Sequence, residues 1–102
     1  MKVRNFSWKV KIEESAEKIF HSRKLSSEDR EIIYKWAKEV ESYGPDALLK
    51  KPGVWADHPL FGEWEGYRAS SFSYSGRIIY RIENQIITVV VVRISPDHDY
   101  KK

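Results

Sequence analysis

Hydrophobic residues recur along the first half of the chain at spacings that change from strand-like to helical. In residues 7–13 they alternate with charged residues, which predicts a half-buried strand. In residues 14–23 they fall at helical spacing and predict a short helix. Ser26 followed by Asp29 is typical of a capping box and predicts a second helix, which ends near Tyr43 because glycine and proline follow. The short connection between the two helices predicts an antiparallel helical hairpin.

The second half of the chain changes to a strand pattern after an irregular stretch. Pro45–Lys51 is predicted to add one helical turn, and residues 52–63, interrupted by prolines and glycines, are predicted to form a loop. Strands are predicted over Trp64–Phe72, Arg77–Glu83 and Ile86–Ile94. The last of these strands is apolar on both faces, so we expect it in the interior of a sheet.

This order of elements predicts an α+β fold in a single domain covering residues 1–102. We expect a small antiparallel sheet, made of the N-terminal strand plus a C-terminal three-strand meander, with the N-terminal helical hairpin packed on one face. A chain of 102 residues with 41% hydrophobic residues has room for one core.

Composition excludes several classes of protein. The chain has no cysteine, which excludes disulfide frameworks, thiol nucleophiles and thiolate metal sites. The N-terminal residues lack the continuous apolar core of a signal peptide, and the longest apolar run, Val89–Val92, is far too short to cross a bilayer. We therefore expect a cytoplasmic protein without a membrane partner.

The net charge of +3 is unevenly distributed along the chain. Residues 1–67 carry equal numbers of basic and acidic side chains, so the whole excess lies in residues 68–102. A basic C-terminal third suits a polyanionic partner. From charge alone, a solvated basic surface without a partner is an equally good explanation.

Two arginines of the second predicted strand form a basic strip. Ile78 and Tyr80 point toward the core, which leaves Arg77, Ile79 and Arg81 on a face that we expect to meet solvent. Basic side chains interleaved with aromatic ones hold single-stranded nucleic acid by phosphate pairing and base stacking. Ion pairs with nearby glutamates are the structural alternative for these arginines.

Histidines supply the other candidate chemistry. The chain has three, His21, His58 and His98, and their spacing matches no zinc motif. His58 falls in the predicted loop, and His98 lies in a polar tail between Asp97 and Asp99. Histidines beside carboxylates are suited to proton transfer near neutral pH, although ordinary exposed histidines would show the same sequence.

A longer pattern joins these residues. The run DHPLFGEWEGYR is followed nine residues later by RIIY, then by an apolar strand and R-x-x-x-x-H-x-Y. This pattern resembles the RelE/YafQ/YoeB group of the RelE/ParE superfamily, whose members are type II toxins of toxin–antitoxin systems. The order of elements fits as well, so the resemblance covers nearly the whole chain. It implies a ribosome-dependent endoribonuclease, or mRNA interferase, with two partners: a cognate antitoxin, and mRNA on the 70S ribosome with 16S rRNA contacts.

The implied reaction needs no metal or cofactor, because the ribose 2′-hydroxyl attacks the adjacent phosphate with general acid–base catalysis. By resemblance, His58 is the general base, Arg77 binds the scissile phosphate and His98 is the general acid. Further contacts with the substrate RNA are predicted for Arg68, Arg81, Arg93 and Tyr100.

The chain departs from the family pattern at three serines. Ser70, Ser71 and Ser75 stand where different family members have a lysine, a histidine and an aspartate, and the tail register leaves Asp97 and His98 competing for one role. Two alternatives remain open. One is a same-fold toxin of the ParE type, which inhibits DNA gyrase and needs no acid–base pair; the other is a non-enzymatic RNA-binding module.

Overall fold

The computed structural model describes residues 8–83 and 88–97. The elements follow in the order β1 (Lys9–Ile12), α1 (Glu14–Phe20), α2 (Ser27–Tyr43), a 3₁₀ segment (Pro45–Lys50), α3 (Pro52–Trp55), β2 (His58–Pro59), a second 3₁₀ segment (Gly62–Trp64), β3 (Arg68–Ser71), β4 (Arg77–Glu83) and β5 (Thr88–Ser95). The predicted α+β class is confirmed. Within the described ranges, no helix has both the length and the apolar character needed to cross a bilayer.

Five strands form one open sheet in the order β1-β5-β4-β3-β2. The predicted meander is confirmed, since β3, β4 and β5 pair antiparallel in sequence order, and β5 lies between β1 and β4 as expected. The sheet is nevertheless mixed, because β1 pairs parallel with β5, with Lys9 opposite Thr88. The alternating pattern of an edge strand is the same for either direction, so it carried no information on this point.

The helices pack on one side of the sheet, which we call the helical face. Trp36 and Val40 of α2 and Tyr80 of β4 are fully buried there. The rings of Trp36 and Tyr80 meet edge to face, with centroids 5.2 Å apart. The predicted capping box begins α2: the Ser26 hydroxyl accepts from the Asp29 N–H (3.0 Å), and the Asp29 carboxylate accepts from the Ser26 N–H (3.1 Å).

An irregularity in β5 decides where its arginine points. Tyr80 pairs with Val91, but its neighbour Ile79 pairs with Arg93, so Val92 is an extra residue in β5. Strict alternation would place Arg93 on the same face as Val91, inside the hydrophobic core. The bulge at Val92 turns Arg93 to the other face of the sheet, opposite Ile79.

The opposite side of the sheet, which we call the second face, is partly covered. A small hydrophobic cluster lies there, made of Leu60, Ala69 and Ile79 with Trp64, Tyr67 and Val92 packed against it. The Leu60 N–H donates to the Tyr67 carbonyl (2.9 Å), which closes the segment between them back over the strands. The prediction that Ile79 meets solvent was therefore wrong, because this segment buries it completely.

Residues 52–63, predicted as a loop, contain two short regular elements, α3 and β2, and the start of the second 3₁₀ segment. Trp55 is buried and fixes the helical turn α3 against the core. Ala56 then adopts the left-handed conformation (φ 47°, ψ 39°). The chain reverses there and enters β2, where His58 lies opposite Ala69 of β3.

Candidate active site

Sheet register brings several predicted site residues to the second face. His58 lies opposite Ala69, Ala69 opposite Ile79, and Ile79 opposite Arg93, so these residues form one row across the sheet. Arg77 is two residues from Ile79 along β4 and shares its face. Standard strand spacings put the Cα atoms of His58 and Arg77 about 12 Å apart. Two long side chains reaching toward one phosphate can span that separation.

The imidazole of His58 is held by its own backbone turn. Its Nδ1 lies 2.8 Å from the carbonyl oxygen of Ala56, and the side chain is exposed. A carbonyl oxygen only accepts hydrogen bonds, so in this contact Nδ1–H is the donor. In the neutral ring, Nε2 then carries the lone pair, and a proton acceptor is presented at the surface.

Arg77 is tied to the turn between β3 and β4. Its Nη1 donates to the carbonyl oxygens of Gly76 (2.9 Å), Tyr74 (3.3 Å) and Ser73 (3.5 Å). Within residues 8–83 and 88–97, no carboxylate forms an ion pair with Arg77. The turn therefore orients the guanidinium without neutralising its charge, which suits an anionic ligand.

Arg81 and Arg93 share the second face but differ in their surroundings. Arg81 forms ion pairs with Glu83 (3.2 Å) and Glu13 (3.4 Å). Partial burial acts to lower the pKa of Arg81, but the hydrogen bond to Glu83 and the charges of Tyr67 and Glu13 raise it overall. Arg93 is half-buried beside a groove of about 520 Å³ between α1 and the end of β5.

Arg68 lies on the helical face, away from His58 and Arg77. Its guanidinium donates twice to one oxygen of Asp57, from Nη2 (2.6 Å) and Nε (2.9 Å). It also contacts Asp46 (3.3 Å) and the Pro45 carbonyl (3.3 Å), and its side chain is 17% exposed. The carbon at the centre of the guanidinium lies 5.4 Å from the ring centroid of Tyr80. These contacts give Arg68 a structural role, and its predicted contact with RNA stays a prediction.

Asp57 is the centre of a buried polar network that sequence reasoning missed. Its side chain is 0% exposed. Besides the two bonds from Arg68, it accepts hydrogen bonds from Ser70 Oγ and from Tyr80 Oη (2.7 Å). The indole N–H of Trp36 donates to Ser70 Oγ (2.9 Å) and extends the network into α2. The one sequence signal was an acidic residue beside a candidate histidine, which does not distinguish a buried carboxylate from an exposed one.

The hydroxyl of Tyr80 is expected to make stability fall at alkaline pH. Burial, together with the neighbouring charge of Asp57, raises the pKa of Tyr80 well above its ordinary value of 10.0. Above about pH 10 the unfolded chain loses the hydroxyl proton of Tyr80, while the folded chain keeps it. The free energy of unfolding should therefore decline above about pH 10, by up to about 1.4 kcal/mol per pH unit from this group. Urea titrations over that range should show a shallower decline for Tyr80→Phe, and equal slopes would contradict the prediction.

The end of the described chain lies beside the turn that orients Arg77. Ser75 Oγ donates to the Pro96 carbonyl (3.3 Å), which ties the segment after β5 to this turn. Asp97 is the last described residue. The predicted general acid, His98, and the predicted RNA contact, Tyr100, lie outside the described residues, and both assignments stay predictions.

Comparisons with known proteins found similar solved structures but no matching family model and no matching curated protein. One is the archaeal RelE–RelB complex from Pyrococcus horikoshii OT3, at 15% identity and a TM-score of 0.70, with 93% of this chain and 99% of that chain covered. The toxin–antitoxin complex RelBE2 of Mycobacterium tuberculosis matches at 22% and 0.62, covering 87% and 96%. The DinJ–YafQ toxin–antitoxin complex of E. coli matches at 18% and 0.63, covering 87% and 91%. The chain has the fold of RelE/ParE-superfamily toxins.

Proposed function

We propose that this chain, with its RelE/ParE toxin fold, is the toxin of a toxin–antitoxin pair and cleaves mRNA on the ribosome. The main observation behind the proposal is that His58 and Arg77 share one face of the sheet, two strands apart. His58 presents a proton acceptor, and Arg77 has no carboxylate partner in the described residues. A toxin that only blocks a protein target has no need of this pair. The similar structures are toxin–antitoxin complexes, so we also propose a cognate antitoxin as partner.

In the proposed reaction the ribose 2′-oxygen forms a bond to the adjacent phosphorus, and the bond from phosphorus to the 5′-oxygen breaks. His58 Nε2 accepts the 2′-hydroxyl proton, and His98 donates a proton to the departing 5′-oxygen. Arg77 stabilises the negative charge that develops on the phosphate oxygens. The products are a 2′,3′-cyclic phosphate and a 5′-hydroxyl, so no water or metal enters this step.

The remaining proposed RNA contacts differ in whether the side chain is already bound to carboxylates. Arg93 and Tyr100 stay proposed contacts for the backbone and for a base. Arg81 is held by Glu13 and Glu83, so an RNA phosphate must compete with two carboxylates for its guanidinium. Arg68 is left out of the proposed surface, because it points to the helical face and neutralises Asp57.

Primer extension on a translated transcript tests the proposal. After expression of the protein in bacterial cells, we expect new 5′ ends within the translated codons of the reporter mRNA. A matched transcript without a start codon should stay intact, because the reaction takes place on the translating ribosome. Intact mRNA accompanied by cleaved chromosomal DNA would contradict the proposal and indicate a gyrase inhibitor. Intact mRNA together with intact DNA would contradict both mRNA cleavage and gyrase inhibition.

A further inference from the structure

The backbone just before His58 has an unusual conformation. Ala56 has φ 47° and ψ 39°, and it is the one non-glycine residue with positive φ in the described ranges. An L-residue in this left-handed region is strained, so surrounding contacts must hold it there. The turn points the Ala56 carbonyl at Nδ1 of His58, at 2.8 Å. Whatever stabilises this turn therefore also fixes the imidazole.

Asp57 lies between Ala56 and His58, and its contacts can stabilise this turn. Its carboxylate is completely buried and bonded to Arg68, Ser70 and Tyr80, which belong to β3 and β4. Successive side chains of an extended segment point to opposite faces. Anchoring Asp57 toward the helical face thus directs His58 to the second face.

We propose that Asp57 is a positioning residue whose buried carboxylate holds His58 as the Nδ1–H tautomer, with the Nε2 lone pair directed to the substrate. The proposal rests on the proposed function for its consequence in catalysis, but the tautomer is a property of the protein alone. Asp57 does not touch the reacting atoms. It acts through the backbone of Ala56 and the strand β2, which place the imidazole.

A purely structural role for Asp57 makes a different prediction. If the network only stabilised the fold, replacing Asp57 would lower the urea midpoint but leave the imidazole of the folded protein as it was. If Asp57 positions His58, the tautomer changes in protein that is still folded. The two roles are therefore separated by a measurement on His58 and not by stability.

Nitrogen-15 NMR of histidine-labelled protein measures the tautomer directly, at about pH 9, well above the ordinary pKa range of histidine side chains in general. The His58 signals are assigned with a His58→Gln variant. We expect the Nδ1–H tautomer in the wild type, and a mixture or the Nε2–H tautomer in Asp57→Asn. The double variant Asp57→Ala/Arg68→Met leaves no uncompensated buried charge, so it serves as a second test should Asp57→Asn fold poorly.

Cleavage rates provide the second readout. We expect the folded variants to cut ribosome-bound mRNA about 10- to 100-fold more slowly at saturating substrate, with little change in KM, because the base is misplaced and substrate binding is not. A wild-type His58 without the Nδ1–H tautomer, or a folded variant that keeps it, would overturn the proposal. The expected tautomers in a protein that cuts no RNA would support the positioning role and contradict the proposed function.

Discussion

Replacing Arg77 with alanine is expected to lower the rate of mRNA cleavage by about a hundredfold or more, the usual cost of removing a group that stabilises developing charge in the transition state. In the proposed reaction the phosphate gains negative charge as the 2′-oxygen attacks. The guanidinium is already oriented by three carbonyl oxygens of the β3–β4 turn and has no ion pair to break within the described residues. Cleavage of a defined transcript in a cell-free translation extract gives the rate.

One further variant separates charge from geometry at Arg77, and a second serves as a control at a distant arginine. Arg77→Lys keeps the positive charge but loses the planar fork, so we expect an intermediate rate, about tenfold below the wild type. Arg23→Ala removes an exposed arginine from the turn after α1. Because α1 packs on the helical face, away from Arg77, this variant should leave the cleavage rate unchanged. A wild-type rate for Arg77→Ala would show that phosphate is bound elsewhere. Thermal unfolding of each variant checks that the turn is intact.

The sequence predicted the architecture well because local signals agreed with one another. The capping box at Ser26 and Asp29 set the start of α2, and the bounds predicted for β4, Arg77–Glu83, are the observed ones. The direction of β1 was not encoded locally, since a parallel and an antiparallel edge strand need the same alternation. The direction of β1 depends on how the chain between β1 and β5, including α1 and α2, packs on the sheet, which is a property of the whole chain.

The site was harder to predict than the fold because single residues decide the face of the sheet to which a side chain points. Arg68 and Arg77 are both strand arginines in the same stretch, but alternation along β3 and β4 puts them on opposite faces. Arg93 reaches the second face only because Val92 bulges out of β5. Asp57 is adjacent to His58 and was overlooked, since burial of a carboxylate is decided by Arg68 and the other donors that the fold brings to it.

Replacing Arg68 with alanine is expected to destabilise the fold by about 3 kcal/mol, because it leaves the fully buried carboxylate of Asp57 without its counter-ion. For a small domain that loss should lower the urea midpoint by about 1.5 M. Arg81→Ala is the matched control: it breaks two ion pairs of a more exposed arginine, which contribute less than about 1 kcal/mol. Equilibrium urea unfolding of the three proteins gives the comparison.

The same variant decides between the two roles given to Arg68. If Arg68 contacts RNA, as its sequence position predicted, alanine should slow cleavage while the urea midpoint stays near that of the wild type. If it belongs to the scaffold, the double variant Asp57→Ala/Arg68→Met should recover much of the stability that Arg68→Ala loses, because neither charge is then left unpaired. Such recovery would show coupling between the two residues that no contact with substrate explains. If that recovery is observed, Arg68 is necessary to the face that carries His58 although it lies on the helical face, since it neutralises the aspartate that anchors β2.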